Sequence, residues 1–68
     1  MHVHVFYIDP RSGWCSQLRD EIGSQIGDAV YSYRKASAIF EAKRWNLRVE
    51  VYGKNGLWQR SLNTPTKG

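Results

Sequence analysis

Apolar and polar residues alternate near both ends of the chain, which is the pattern of a strand with one buried face. Residues 2–8 are rich in β-branched and aromatic side chains, as strands are. Residues 47–52 alternate as cleanly, and residues 57–62 follow after Asn55-Gly56, a strong hairpin signal. The alternation predicts an inward face formed by Val3, Val5, Tyr7, Leu47, Val49 and Val51, to which pairing across the hairpin adds Trp58, Arg60 and Leu62.

The stretch from residue 14 to residue 31 fits two patterns. Its apolar residues recur at spacings of three and four, as on one face of a helix. However, Gly23 and Gly27 would each cost about 1 kcal/mol in a helix interior. We favour strands at 14–20 and near 25–31, joined by a glycine-rich turn, and a helix is the alternative.

The clearest helix covers residues 33–45. Ser32 precedes it as a candidate N-cap, because a serine hydroxyl can accept a hydrogen bond from an orphan backbone N–H. Asn46 follows it as a candidate stop. The predicted inward stripe of this helix consists of Ala36, Ile39 and Phe40.

These elements predict one small α+β domain. Their order is β-β-β-α-β-β, and we expect a small antiparallel sheet with one helix packed on one face. A chain of 68 residues has room for one domain only, which we place at residues 1–62, with a flexible tail at 63–68. The other face of the sheet has no second layer in this chain to cover it.

Several turn and cap positions form a recognisable pattern. They are Gly13-Trp14, a helix opening at Ser32 with Ala36, Ala38 and Ala42, and the segment Val49–Gly56 with Gln59 after it. Over about residues 3–62 this pattern resembles a family of short bacterial and phage proteins of uncharacterised function. The chain departs from that pattern at the helix start, which lacks the usual acid, and after Gln59. The resemblance implies a strand for residues 14–20 and an accessory or host-interaction role, and it implies no activity.

Cysteine and histidine usage narrows the possible chemistry. Cys15 is the single cysteine, which excludes a disulfide within the chain and suits a reducing compartment. Cys15, His2 and His4 are too few for a zinc site. No catalytic constellation is recognisable, and we expect neither an enzyme nor a metal or cofactor. With no leader and no run of about 20 apolar residues, we expect a cytoplasmic protein that does not bind membranes.

Positive charge is concentrated in the second half of the chain. The net charge is +4; residues 1–30 hold two arginines against four acids, whereas residues 31–68 hold eight cations against two acids. Such an excess suits a polyanion or an acidic protein surface. Our leading hypothesis is a small accessory protein that binds nucleic acid through Arg34, Lys35, Lys43, Arg44, Arg48, Tyr52, Lys54 and Arg60.

The alternative hypothesis is a protein-interaction module, such as a phage-encoded inhibitor or adaptor, or a homodimer. Here the uncovered sheet face would be the interface, because tyrosine and other aromatic residues beside arginine are typical of interface hot spots. The residues that would carry it are His4, Phe6, Tyr52 and Leu57.

Overall fold

Residues 1–62, the part of the chain that the computed structural model describes, form a five-stranded sheet with one helix packed on one face. The tail predicted at 63–68 lies outside the described residues. The elements are β1 (His2–Asp9), β2 (Gly13–Arg19), β3 (Val30–Ser32), α1 (Lys35–Lys43), β4 (Val49–Tyr52) and β5 (Trp58–Leu62). The α+β class and the element order are therefore confirmed. Within residues 1–62 there is no helix with the length and hydrophobicity needed to span a membrane.

The sheet is mixed rather than purely antiparallel. Its strand order is β3-β2-β1-β4-β5, and the central pair β1 and β4 runs parallel, with Val3 beside Val49 and Val5 beside Val51. The other three pairs are antiparallel. The parallel pair arises because the chain crosses over the sheet through α1 between β3 and β4, and parallel strands require such a crossover.

The core lies between α1 and the central strands. Val3, Val5, Val49 and Val51 are fully buried, as the alternation predicts, and burying one such side chain contributes roughly 1.5–3 kcal/mol. The helix contributes buried alanines, Ala38 and Ala42, and the partly buried Ile39.

The predicted inward stripe of the helix is wrong at Ala36 and Phe40. Both residues are exposed, and Phe40 is 65% exposed. The hydroxyl of Ser16 donates a buried hydrogen bond of 2.6 Å to the carbonyl oxygen of Ala38, which holds the helix backbone close to the sheet. Only small side chains fit in that gap, so the alanines rather than the phenylalanine face inward.

The helix begins at Lys35, two residues later than predicted. Arg34 is the N-cap, with extended backbone and no side-chain capping bond, so Ser32 is not the cap. Ser32 ends β3 instead and pairs with Trp14. A side chain at Gly13, whose φ is +78°, would come within 2.5 Å of the Ser32 carbonyl oxygen, so the two backbones are in close contact.

Two further boundaries follow local chemistry. Asn46 ends the helical region as predicted, with φ at 53° and its N–H bonded to the Lys43 carbonyl oxygen. The predicted strand at 14–20 is confirmed as β2, whereas the short strand predicted near 25–31 lies at 30–32. Before it, residues 21–23 form a turn in which the Asp20 carboxylate accepts hydrogen bonds from the backbone of Ile22 and Ser24. Gln25 follows with an isolated β-bridge to Arg19.

Trp58 does not share the core face with Val49 and Val51. The β4–β5 register shifts between Val51 and Tyr52, so that Trp58 pairs with Tyr52. Leu62 and Arg60 keep the predicted face, opposite Val49 and Val51. The shift is enough to turn the Trp58 side chain to the face that the helix leaves uncovered.

Candidate functional site

The sheet face opposite α1 is uncovered among the described residues, and we call it the open face. Its side chains come from alternate positions of every strand, because neighbours in a strand point to opposite faces. The strand registers arrange these side chains in three rows that cross the sheet.

The first row crosses all five strands and is mainly aromatic. Tyr31 pairs with Cys15, Cys15 pairs with Phe6, and Tyr52 pairs with Trp58. Continuing the β1–β4 register by one residue places Phe6 beside Tyr52. Because neighbouring strands lie about 4.8 Å apart, this row is about 19 Å long. We call it the aromatic row; its aromatic members are Tyr31, Phe6, Tyr52 and Trp58.

The aromatic row is accessible at its two ends. Tyr31 is 64% exposed and Trp58 is 57% exposed, while Phe6 and Tyr52 between them are half-buried. A shallow depression of about 320 Å³ opens beside Phe6 and Tyr52, and Arg19 also lines it. Flat rings presented in this way offer stacking surfaces to planar groups.

The second row lies two residues further along the strands, about 7 Å from the first. We call it the polar row, formed by Gln17, His4, Glu50 and Ser61. Its centre is the Glu50 carboxylate, whose Oε1 accepts hydrogen bonds of 2.6 Å from both Trp58 Nε1 and Ser61 Oγ. Its Oε2 lies 2.7 Å from Arg48 Nε.

These contacts keep Glu50 ionised and hold its neighbours in place. Burial by itself would raise the pKa of the Glu50 carboxyl, but the hydrogen bonds from Ser61 and Trp58, together with nearby positive charge, outweigh it and hold the pKa below its usual value of 4.5. The positive charge of Arg48 acts in the same direction. The carboxylate thus fixes the Trp58 indole, which stands at the end of the aromatic row.

The third row contains cations, and we call it the basic row. It consists of Arg19 and His2, which are paired across β2 and β1, with Arg48 beyond His2 on the β4 side. His2 reaches His4 of the polar row, and their Nε2 atoms are 2.8 Å apart. Burial lowers the pKa of His4 from 6.5 to about 4, and the nearby charge of Arg19 adds to this effect. His4 is therefore neutral at pH 7.

A separate group of cations stands at the end of the molecule where β1 ends and α1 begins. There the rings of Tyr7 and Trp14 meet edge to face at 5.3 Å. Lys54 Nζ lies 5.1 Å from the centre of the Tyr7 ring, and Lys35 Nζ lies 5.4 Å from that of Trp14. With the neighbouring turn and helix-start residues, this basic end comprises Arg11, Arg34, Lys35 and Lys54.

The sequence-predicted cations do not gather on one face. Arg48 and Tyr52 lie on the open face, whereas Arg34, Lys35 and Lys54 belong to the basic end. Lys43 and Arg44 lie at the opposite end of α1. Arg60 pairs with Val51 and projects on the helix side of the edge strand.

The residues predicted for a protein interface lie closer to one another than the predicted cations do. His4, Phe6 and Tyr52 lie side by side on the open face, with ring centres of His4 and Tyr52 5.2 Å apart. Leu57 lies outside this group, in the β4–β5 turn, and is 66% exposed.

Sequence reasoning missed half of the open face. Alternation within β2 was sufficient to put Gln17 and Arg19 on the same face as Cys15, but only the pairing with β1 shows that they flank the histidines. Tyr31 and Trp58 carried no such signal. Tyr31 belongs to a three-residue strand, and Trp58 changes face through the register shift.

Cys15, in the middle of the aromatic row, contributes packing rather than nucleophilic chemistry. It is 1% exposed, and burial raises the pKa of its thiol above the ordinary value of 9.0. The thiol is therefore protonated at neutral pH and unsuited to attack. Within residues 1–62, no three His, Cys, Asp or Glu side chains come together as metal ligands.

The open face therefore combines ring stacking, hydrogen-bonding groups and positive charge in ordered rows. Comparison of this chain with protein-family models, with curated proteins and with solved structures finds no match. The resemblance to short bacterial and phage proteins accordingly stays a prediction.

Proposed function

We propose that this chain binds single-stranded nucleic acid on its open face, with bases stacked on the aromatic row. The observation that carries the proposal is the row itself: four aromatic side chains from four different strands, aligned across a sheet face that no helix of residues 1–62 covers. Sheet faces that present aromatic residues stack two or three bases in single-stranded RNA recognition. Every base has a flat face, so such binding tolerates many sequences.

The spacing of the three rows suits a nucleotide. A base stacked on the aromatic row would place its edge or sugar over the polar row, about 7 Å away. The basic row, about 7 Å further on, is within reach of the phosphates. The amide of Gln17 and the imidazole of His4 are the groups in the polar row best placed to meet polar atoms of the ligand, because Glu50 already accepts three contacts.

Positive charge supports the proposal from both sides of the aromatic row. The basic end begins one residue beyond it along β1 and β2, at Tyr7 and Trp14, whose rings lie on the helix side of the sheet. Neutralising phosphates releases bound counterions, so affinity should fall as salt rises. A duplex would meet the same cations but could not present its bases to the rings, so we expect weaker binding of duplex than of single strands.

The test is fluorescence anisotropy with labelled single-stranded DNA, single-stranded RNA and duplex DNA, at low and moderate salt. Tyr31→Ala and Phe6→Ala should each weaken single-strand binding by roughly 5- to 150-fold, since one base stack contributes about 1–3 kcal/mol. The matched control is Phe40→Ala, because Phe40 is as exposed as Tyr31 but lies on the helix. Absence of single-strand binding, or an equal loss in the Phe40 variant, would overturn the proposal.

A protein partner is the second candidate, and a different observation favours it. β5 is an edge strand whose first four residues are exposed; Trp58, its first residue, is 57% exposed, and Leu57 just before it is 66% exposed. An uncovered edge can pair with a strand of a second chain. If two copies pair there, the melting temperature should rise with protein concentration, and Leu57→Ala should reduce that dependence.

A further inference from the structure

The contact between His2 and His4 restricts how many protons the two rings can hold together. With their Nε2 atoms 2.8 Å apart, one nitrogen must donate a hydrogen and the other must accept it. One extra proton on the pair is compatible with this bond. If both rings were protonated, two N–H groups would point at each other, so the contact would have to open.

The surroundings of the pair oppose further positive charge. The charged and titratable groups that face it are Arg19 from β2 and Arg48, Glu50 and Tyr52 from β4. Glu50 is the group that favours protonation of His4, and its carboxylate is also held in a 2.7 Å ion pair with Arg48. α1 contributes none, because it covers the other side of the sheet. Among the charged groups of residues 1–62, Arg19 opposes protonation of His4 the most.

Arg19 also has unused hydrogen-bonding capacity. Its Nη1 donates to the Gly23 carbonyl oxygen at 3.1 Å, while its Nε is buried and has no hydrogen-bond partner among residues 1–62. The Oε1 atom of Gln17, two residues before Arg19 on β2, is likewise buried and without a hydrogen-bond partner among residues 1–62. A buried donor without a partner costs about 1–3 kcal/mol, and cationic donors of this kind are suited to an anionic oxygen ligand.

We propose that the basic row is a phosphate-binding subsite, at which the His2–His4 pair takes up a proton from solvent when the anion binds. A phosphate over His2 would lie between Arg19 and Arg48 and would offset the charge that otherwise keeps the pair from holding a further proton. This inference rests on the proposed function, since the phosphates would belong to the strand whose bases stack on the aromatic row. It goes further by making affinity depend on pH.

Proton uptake has a measurable consequence for affinity. If one proton enters with each bound strand, affinity increases as pH falls, by at most about tenfold per pH unit. We expect this increase in affinity between about pH 7.5 and pH 5.5, the range in which histidine side chains change their charge. A subsite built from arginines alone would show no such slope, because guanidinium groups stay charged throughout.

The experiment uses inorganic tripolyphosphate as the probe, so that base stacking plays no part. Its binding is measured by isothermal titration calorimetry near pH 6 in two buffers of different ionisation enthalpy, which yields the number of protons taken up. Histidine ring signals are followed by NMR in the same titration. We expect uptake approaching one proton, with shifts of the His2 and His4 signals.

Matched variants test whether the histidine pair is the group that takes up the proton. His4→Gln and His2→Gln should each bind tripolyphosphate several-fold more weakly and without proton uptake, whereas Arg44→Gln, on the helix side of the sheet, should behave as the wild type. No binding, binding without proton uptake, or binding that leaves both histidine signals unmoved would overturn the inference. In each of those cases, single strands that still bind in the anisotropy assay and lose affinity in Phe6→Ala would leave the proposed function standing.

Discussion

Individual residues of the open face are held in defined states by their neighbours, and His4 is the clearest case. Its ring contacts His2 on one side and the Tyr52 ring on the other, and burial keeps it neutral. Glu50 is held in the opposite state, ionised, by the three groups that contact its carboxylate. Both states are properties of the folded chain, and both make stability depend on pH.

Stability should fall on mild acidification because of His4. Its pKa is 6.5 when unfolded and about 4 when folded, so between these values the unfolded chain binds more protons, and lowering the pH favours unfolding. Discounted for partial exposure of the ring, the loss is about 1 kcal/mol, or about 4–8 °C in Tm. Thermal unfolding followed by circular dichroism at pH 7 and pH 5 measures it.

The variant His4→Gln identifies the source of this dependence, because glutamine does not titrate. Its Tm should change less than that of the wild type between the two pH values. Glu50, whose pKa lies below 4.5, loses its contribution only at lower pH. An undiminished drop in Tm in His4→Gln would show that other groups are responsible.

At the scale of elements, the fit of α1 on the sheet depends on small residues. Ala38 and Ala42 are fully buried, and the Ser16 hydroxyl holds the helix near the strands. The helix is only nine residues long, too short to be stable alone in water. Its contact with the sheet is therefore what keeps it folded.

A larger side chain at Ala38, which is buried against the sheet, should destabilise the domain, whereas a larger side chain at the exposed Ala36 should not. We expect Ala38→Leu to destabilise the domain by about 1–3 kcal/mol, because a tightly packed contact has no room for three more carbons. Ala36→Leu, on the exposed side of the same helix, should change stability by no more than about 0.5 kcal/mol. Urea unfolding of both variants makes the comparison, and equal effects would contradict the packing described for α1.

Over the whole molecule, net positive charge is greatest at the basic end, because acids offset the cations at the other end. The cations there are Arg11, Arg34, Lys35 and Lys54. The turn between β1 and β2 also contains an acid, Asp9, whose carboxylate accepts hydrogen bonds from the backbone N–H groups of Arg11 and Ser12. The opposite end contains the acidic loop between β2 and β3, with Asp20, Glu21 and Asp28. Net charge should therefore draw a polyanion to the basic end first, whereas the basic row at the opposite end lies beside these acids.

This asymmetry predicts unequal effects of removing single charges. Lys54→Gln should weaken single-strand binding and reduce the slope of log affinity against log salt by about 0.7, the value for one lost phosphate contact. Arg44→Gln, which removes the same charge at the far end of α1, should leave both quantities unchanged. Anisotropy titrations over a series of salt concentrations test this, and equal slopes for the two variants would argue against contact at the basic end.

The sequence by itself determined most elements of this protein and the face of most strands, while it left a helix open as the alternative for residues 14–31. Alternation in residues 2–8 and 47–52 is a local property with a period of two, and it placed the four core valines correctly. The Asn55-Gly56 hairpin and the Asn46 helix stop are equally local, because each depends on backbone conformations that few residues adopt. Composition likewise established the net positive charge.

Only the tertiary structure decided which strands are neighbours and in what register. The parallel β1–β4 pair and the inward turn of Ala38 depend on contacts between residues far apart in sequence, and the change of face at Trp58 depends on the register of the β4–β5 pair. Hydrogen bonds between strands set the register, and a shift of one residue would move every side chain to the other face. The three rows of the open face exist for that reason, and no local pattern in the chain encodes them.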